Sequence, residues 1–201
     1  MKCGRSGLSS KFFVYLKQMK PIKEHKKFES IEDYLAFEEK SEVRHEYYFE
    51  NLIEMAGATY LHNLINGNLF FIFKMLLKDK SERVFMEGFK AFIKNENIFF
   101  YPDLMVSIPE EHEHYSTQPI LIAEVLSEST RNFDMVDKFI QYKKLETIQY
   151  YLLVEPKKHL VIVNRKTTDN EWQTDIFTSI TDVIELPSLQ ITIALKDIYQ
   201  A

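Results

Sequence analysis

The chain has one cysteine, Cys3. That excludes an internal disulfide framework and a cysteine-built zinc site, and it suits a reducing cytoplasm, the compartment expected here. No apolar run approaches the length of a membrane span, so no membrane partner is expected. No glycine-rich phosphate loop is present, which leaves a nucleotide phosphohydrolase without its usual sequence support. Internal repeats and low-complexity segments are absent. Positive charge is scarce: 25 Lys and Arg face 30 Asp and Glu, a net charge of −5. That balance argues against broad attraction to nucleic acid. It still leaves room for a local basic groove, and an acid-lined metal site would itself add negative charge.

With 201 residues the chain can bury the core of one sizeable domain, with a rich supply of Phe and Tyr to fill it. Residues 1–27 stand apart. Lys2, Arg5, Lys11, Lys17, Lys20, Lys23, Lys26 and Lys27 meet a single acid, Glu24. The apolar stretch Phe12-Phe13-Val14-Tyr15-Leu16 is short for a signal peptide, and no clear cleavage site follows it. A disordered basic tail is expected, with contact to DNA phosphates one use open to it. Met19 offers an alternative start. Residues 28–201 are expected to form one domain.

Ser30 and Asp33 carry the pattern of a helix N-cap, with Ile31, Tyr34, Leu35 and Phe37 on the buried stripe. The segment 42–49 can finish a helix or begin a strand. Leu52-Ile53-Glu54-Met55 reads as a short strand, ended by Gly57. Leu61, Leu64, Ile65, Leu69, Ile72, Phe73 and Leu76 recur at helical spacing. Gly67 inside that helix implies close packing there. Residues 83–92 and 98–107 read as two strands joined through the polar turn Lys94-Asn95-Glu96-Asn97. An acidic, His-containing loop over 109–118 follows. Ser127 to Asn132 opens a helix to about residue 145, with Met135, Phe139 and Tyr142 on one face. Strands over 150–154, 160–165, 172–178 and 190–194 complete an α/β (α+β) domain with a mixed central sheet flanked by helices.

One residue breaks the pattern. Glu124 interrupts Ile120-Leu121-Ile122-Ala123-Glu124-Val125-Leu126, a run with the length and apolar density of a strand buried on both faces. An ionised carboxylate there is costly unless it is paired or binds a cation. Upstream, Tyr101-Pro102-Asp103 opens a second apolar strand, and Pro102 places Asp103 near a sheet irregularity. Downstream, Asp134 and Lys138 stand at helical spacing. Two carboxylates on neighbouring strands suit Mg2+ or Mn2+, and a nearby lysine suits charge building on phosphorus.

In this order, Pro102-Asp103 followed by Glu124 in an apolar strand resembles the PD-(D/E)XK nuclease superfamily. More narrowly, the chain resembles the Uma-two family of restriction-endonuclease-like proteins. The matching stretches are Tyr34-Leu35, Arg44-His45-Glu46-Tyr47, Glu54-Met55-Ala56-Gly57-Ala58, His62, Tyr101-Pro102-Asp103 and Ala123 to Thr130. Asp134, Lys138, Tyr142, Ile184 to Leu189 and Ile193 to Tyr199 complete them. The resemblance covers about residues 28–200. It implies a restriction-endonuclease-like core and a Mg2+- or Mn2+-dependent endonuclease hydrolysing DNA phosphodiester bonds. Asp103 and Glu124 would be its metal ligands, and Glu46 an auxiliary acid from the first helical region. The lysine expected two residues after Glu124 is Leu126, and Lys138 takes its role, positioned by Asp134. The family's glycine after the Glu46 region is Glu50, which bears on the local turn.

Blander readings stand beside these. Glu124 could be a buried acid paired with a structural Lys or Arg, and Asp103 a strand-end cap. Lys138 could be an exposed lysine paired with Asp134 for about 0.2–0.5 kcal/mol, and Glu46 a surface acid beside Arg44. His62 reads as a hydrogen-bonded supporting histidine. His112 and His114 read as loop residues rather than a transition-metal pair. Tyr47-Tyr48-Phe49 reads as core rather than a base-stacking surface. DNA is the expected partner, with a homodimer as the expected assembly for double-strand cutting. The alternative is a non-catalytic nucleic-acid or protein-binding module on the same fold.

Overall fold

The computed structural model describes residues 24–55 and 57–200. The basic stretch up to Lys23 lies outside the described residues. In chain order the first elements are β1 (Glu24–His25), α1 (Ile31–Glu39), β2 (His45–Tyr48), β3 (Asn51–Glu54) and α2 (Tyr60–Leu76). Next come β4 (Arg83–Met86), β5 (Lys90–Ile93), β6 (Ile98–Phe100), β7 (Leu104–Ser107), β8 (Tyr115–Ser116) and β9 (Pro119–Val125). A π-helical stretch, Phe133–Lys138, runs into α3 (Phe139–Tyr142). The chain closes with β10 (Tyr150–Val154), β11 (Val161–Lys166), β12 (Trp172–Phe177), β13 (Val183–Leu186), β14 (Ile191–Ala194) and α4 (Leu195–Ile198).

The expected mixed sheet is β12-β11-β10-β9-β7-β4, in which β9 and β10 are parallel and the other neighbours antiparallel. Beside it stands a second six-stranded sheet, β1-β3-β2-β6-β5-β8, which the sequence did not announce. Its origin is the pair of long strands expected over 83–92 and 98–107. Each is broken in the middle, so β4 and β7 join one sheet while β5 and β6 join the other. The first break is Glu87-Gly88, at φ 31° and 90°. The second is Tyr101-Pro102-Asp103, where proline can donate nothing to a ladder. The hairpin therefore bridges two sheets.

Alternation along β9 divides the interior. Leu121, Ala123 and Val125 face a core shared with Leu69 and Phe73 of α2 and with β13, β14 and α4. Ile122 and Leu126 face a second core, built with Phe100 of β6, Tyr48 of β2, Phe133 and Tyr142. Glu124 has the parity of that second face. A third, aromatic cluster seats Tyr34 of α1 against Tyr47 and Phe99. Tyr34 stacks on both rings at 5.3 and 4.7 Å between centroids; Tyr47 and Tyr48 are core residues as expected, whereas Phe49, in the turn after β2, is 44% exposed.

Local sequence explains the element ends. Ser30 caps α1, its hydroxyl accepting from Asp33 N while the Asp33 carboxylate accepts from Ser30 N. Thr59 caps α2 through His62 N. The β2–β3 turn uses Phe49 and Glu50 at φ 47° and 60°, a left-handed pair that normally favours Asn or Gly. Glu50 thus keeps the turn that its loss of glycine called into question. Asn51 Nδ2 ties the turn down by donating to the Phe49 carbonyl at 2.7 Å. The segment 42–49 resolves as strand, not helix, and β13 is a strand the sequence reading missed.

Two helical expectations are corrected. Met135 is 36% exposed, off the face shared by Phe139 and Tyr142, because the π-turn rotates side chains away from α-helical spacing. Gly67 does not mark close packing: it is exposed, and a Cβ built on it meets nothing within 4 Å. Gly67→Ala should therefore stabilise the protein by about 0.5–1 kcal/mol through helix propensity alone. Urea unfolding checks this, and a destabilised variant would reveal a packing role for the missing side chain.

Candidate active site

The parity of β9 aims Glu124 between the two sheets, where it is 2% exposed. Because β7 runs antiparallel to β9, the start of one lies beside the end of the other, with Leu104 opposite Ala123. Asp103, just before β7, is thereby set against Glu124. Its backbone N donates to Glu124 Oε2 at 3.3 Å, and its own Oδ2 accepts from Val125 N at 2.7 Å. The same Oδ2 lies 3.1 Å from His62 Nε2 on the first turn of α2.

Lys138 fills the space on the other side of Glu124. Its ammonium lies 2.8 Å from Glu46 Oε1, 3.2 Å from Glu124 Oε1 and 3.2 Å from Asp134 Oδ1. Phe100 and Phe133 flank it at 5.6 and 5.7 Å to the ring centroids. The Tyr142 hydroxyl donates to Glu124 Oε1 at 3.2 Å. Asp134 is fixed by Thr130 Oγ1, which donates to its Oδ2 at 2.6 Å, while its backbone carbonyl accepts from Tyr151 at 2.7 Å. The π-turn brings Asp134 and Lys138 inward together, and irregular turns of this kind are frequent at functional sites.

Glu46 belongs to β2, not to the first helical region as the resemblance implied, and it is 4% exposed rather than a surface acid. It accepts from Tyr101 N at 3.2 Å. A further network that the sequence reading passed over steadies this side. Glu38 Oε1 accepts from His45 N at 2.7 Å and from the Tyr101 hydroxyl at 3.0 Å, and Glu38 Oε2 faces His45 Nδ1 at 3.1 Å. Helical spacing from Tyr34 to Glu38 was the available signal. Helical spacing and the family resemblance both mark Tyr142 without giving its hydroxyl a role, although a buried tyrosine hydroxyl normally finds a partner.

The electrostatics follow from three carboxylates around one ammonium, with Asp103 beside them. Burial pushes Glu124 well above the ordinary glutamate range; Lys138 pulls it back, while Asp103, Asp134 and Glu46 add to the rise. Burial likewise raises Glu46 against the pull of Lys138. Burial works against the Lys138 ammonium too, but Glu124, Glu46 and Asp134 outweigh it and hold its pKa well above the usual lysine value. Lys138 is therefore a fixed positive charge. For His62, burial opposes the charged form, yet the hydrogen bond and charge of Asp103 raise its pKa overall. Its Nδ1 is buried with no hydrogen-bond partner.

Among the described residues no three His, Cys, Asp or Glu side chains converge as a ready-made metal cage. His112 instead stacks on Tyr115 at 4.5 Å. Mg2+ needs less than a cage, since it keeps several waters and takes one or two carboxylates. Asp103 and Glu124 meet that need, and Asp103 Oδ1 is engaged by no hydrogen bond among the described residues. The Asp103 and His62 side chains, 14% and 12% exposed, are the members of the cluster nearest to solvent.

A family model described as "Putative restriction endonuclease", Uma2, matches residues 31–196. The chain belongs to this family. It is 33% identical over 146 residues to the uncharacterized protein sll1609 of Synechocystis, covering 70% of this chain and 82% of that one. It is 29% identical over 174 residues to the uncharacterized protein slr1290 of the same organism, covering 85% and 91%. A crystal structure from Anabaena variabilis, described as "a putative nuclease belonging to DUF820", superposes with a TM-score of 0.69 at 19% identity. That superposition covers 84% of this chain and 96% of the other. The likeness establishes the restriction-endonuclease-like fold of this Uma2 chain.

Removing Lys138 leaves three buried carboxylates without their shared counter-charge. In metal-free buffer Lys138→Met should cost about 3–5 kcal/mol at pH 8. Glu46 and Glu124 already have raised folded pKa values, so their ionisation penalty is small near the unfolded value of about 4.3 and grows as pH rises. The deficit should accordingly shrink at pH 5. Urea unfolding at both pH values tests this, and a loss below about 1 kcal/mol, or one independent of pH, would contradict the electrostatic account.

Proposed function

We propose that this Uma2 chain is a divalent-metal-dependent endonuclease that hydrolyses DNA phosphodiester bonds. The observation that carries the reading is the convergence of Glu124, Glu46 and Asp134 on Lys138, with Asp103 set against Glu124 at the start of the neighbouring strand. Three acids on one ammonium, with a fourth beside them, are more buried negative charge than that ammonium offsets, and buried charge is costly unless compensated. Family membership supports a nuclease-like role.

In this reading Asp103 and Glu124 would hold Mg2+ or Mn2+. The metal would lower the pKa of an attacking water and clamp the phosphate. Lys138, held protonated, cannot accept a proton; it stabilises negative charge developing on the phosphoryl oxygens and fixes Glu124 in place. Asp134 and Glu46 position that ammonium, and Tyr142 orients Glu124. His62, beside Asp103, orients that carboxylate through its Nε2. Cutting both strands of a duplex takes two such sites, which a homodimer would supply. Phe71 and Met75 on α2, 61% and 52% exposed, offer apolar surface for one.

Plasmid nicking and linearisation with Mg2+, with Mn2+ and with EDTA tests the proposal. Cleavage should need metal and fall by about 100-fold or more in Asp103→Asn and in Glu124→Gln. Metal-independent DNA binding, unaffected by both variants and without cleavage, would favour the binding-module alternative. Equal cleavage by wild type and variants would place the activity elsewhere.

A further inference from the structure

Tyr101, whose backbone N donates to Glu46, also lines a cavity of about 220 Å³ together with Arg44, Lys90, Ser41 and the acids Glu38 and Glu39. Its charges are unusual. Lys90 is 7% exposed, yet its ammonium forms no hydrogen bond or ion pair with any described residue. Its nearest partner is the Tyr101 ring, 5.0 Å from the Nζ. Arg44 also has no hydrogen bond or ion pair from its guanidinium among the described residues. Gly88, at φ 90°, makes room for that guanidinium: a Cβ there would lie 3.2 Å from Arg44 Nη2. Glu38 does not neutralise the pair directly, because both its oxygens are turned to His45 and Tyr101. Glu39 is an exposed rim residue.

Two unpartnered cations in one cavity, one of them buried, make a site for an anion with several acceptor oxygens. Arginine offers a planar fork of donors and lysine a point charge, the combination that grips phosphate. Burial lowers the Lys90 pKa, Glu38 acts the other way, and Arg44 adds to the drop; a bound anion would relieve that penalty. Position identifies the source of the phosphate. Arg44 precedes Glu46 by two residues, and Tyr101 precedes Asp103 by two. Two residues of extended chain span about 7 Å, so the backbone that lines the cavity lies within about 7 Å of the backbone that carries the acids.

We propose that Arg44 and Lys90 form a phosphate-binding subsite that holds a backbone phosphate of the DNA strand next to the bond being cut. The proposal rests on the nuclease reading for its substrate. It also answers how a chain of net charge −5 attracts DNA: the cations are few but placed and uncommitted.

The test measures binding of a labelled DNA duplex by fluorescence anisotropy at several salt concentrations, with Ca2+ in place of Mg2+. Wild type is compared with Arg44→Gln, Lys90→Met and the double variant. Each single change should weaken binding about 5- to 20-fold and reduce the log–log salt slope by about 1. Unchanged affinity and slope in Arg44→Gln, whose exposed position leaves folding intact, would overturn the proposal even if Lys90→Met failed to fold. Inorganic phosphate is the second probe. If it stabilises wild type and not the variants while DNA binding is unaffected, the cavity serves a free anion and the DNA assignment is wrong. If DNA binding depends on both residues but wild type never cuts under any metal, the subsite stands and the nuclease reading fails.

Discussion

The Lys138 ammonium sits 2.8–3.2 Å from three carboxylates that come from different parts of the fold. Glu46 arrives on β2 of one sheet, Glu124 on β9 of the other, and Asp134 from the π-helical stretch that covers the gap between them. A three-donor cation is well matched to that geometry, since each proton finds one acceptor. Taking these charges out of water is expensive, and their mutual attraction recovers the expense only with good geometry on every side. The surrounding hydrogen bonds supply it: Tyr101 N on Glu46, Tyr142 on Glu124 and Thr130 on Asp134. The two sheets and the helix are thus tied at one buried point.

That point leaves a surplus of negative charge. Asp103 lies just outside it, linked to Glu124 through its backbone N and to Val125 through its side chain. Burial first, and the neighbouring acids second, raise Glu124 and Glu46 above their ordinary range. Clustered, perturbed carboxylates of this kind mark a candidate site.

The broken hairpin is the architectural device behind the site. Had residues 83–107 formed two unbroken strands, β5 and β6 would have extended the mixed sheet. No second sheet would then carry Glu46 toward Lys138. Pro102 and the Glu87-Gly88 kink turn the chain across. The same two bends place Asp103 beside Glu124 on one side and Lys90 beside Arg44 on the other.

Much of the fold was legible in the sequence. Alternation in 120–126, helical spacing in 61–76 and the Ser30 cap each encode their element locally, because period and capping depend only on neighbours in the chain. The odd carboxylate at Glu124 was legible for the same reason, as were Asp103 and the Asp134–Lys138 pair. The sequence alone could not give the strand character of Glu46, the exposure of Gly67, the π-turn that withdraws Met135, or the Glu38–His45–Tyr101 network. Nor could it place Arg44 and Lys90 in one cavity. Those depend on which strand leaves which sheet and on what lies opposite after burial. Such outcomes are set by long-range packing and by the need to satisfy buried charge, and only the tertiary structure decides them.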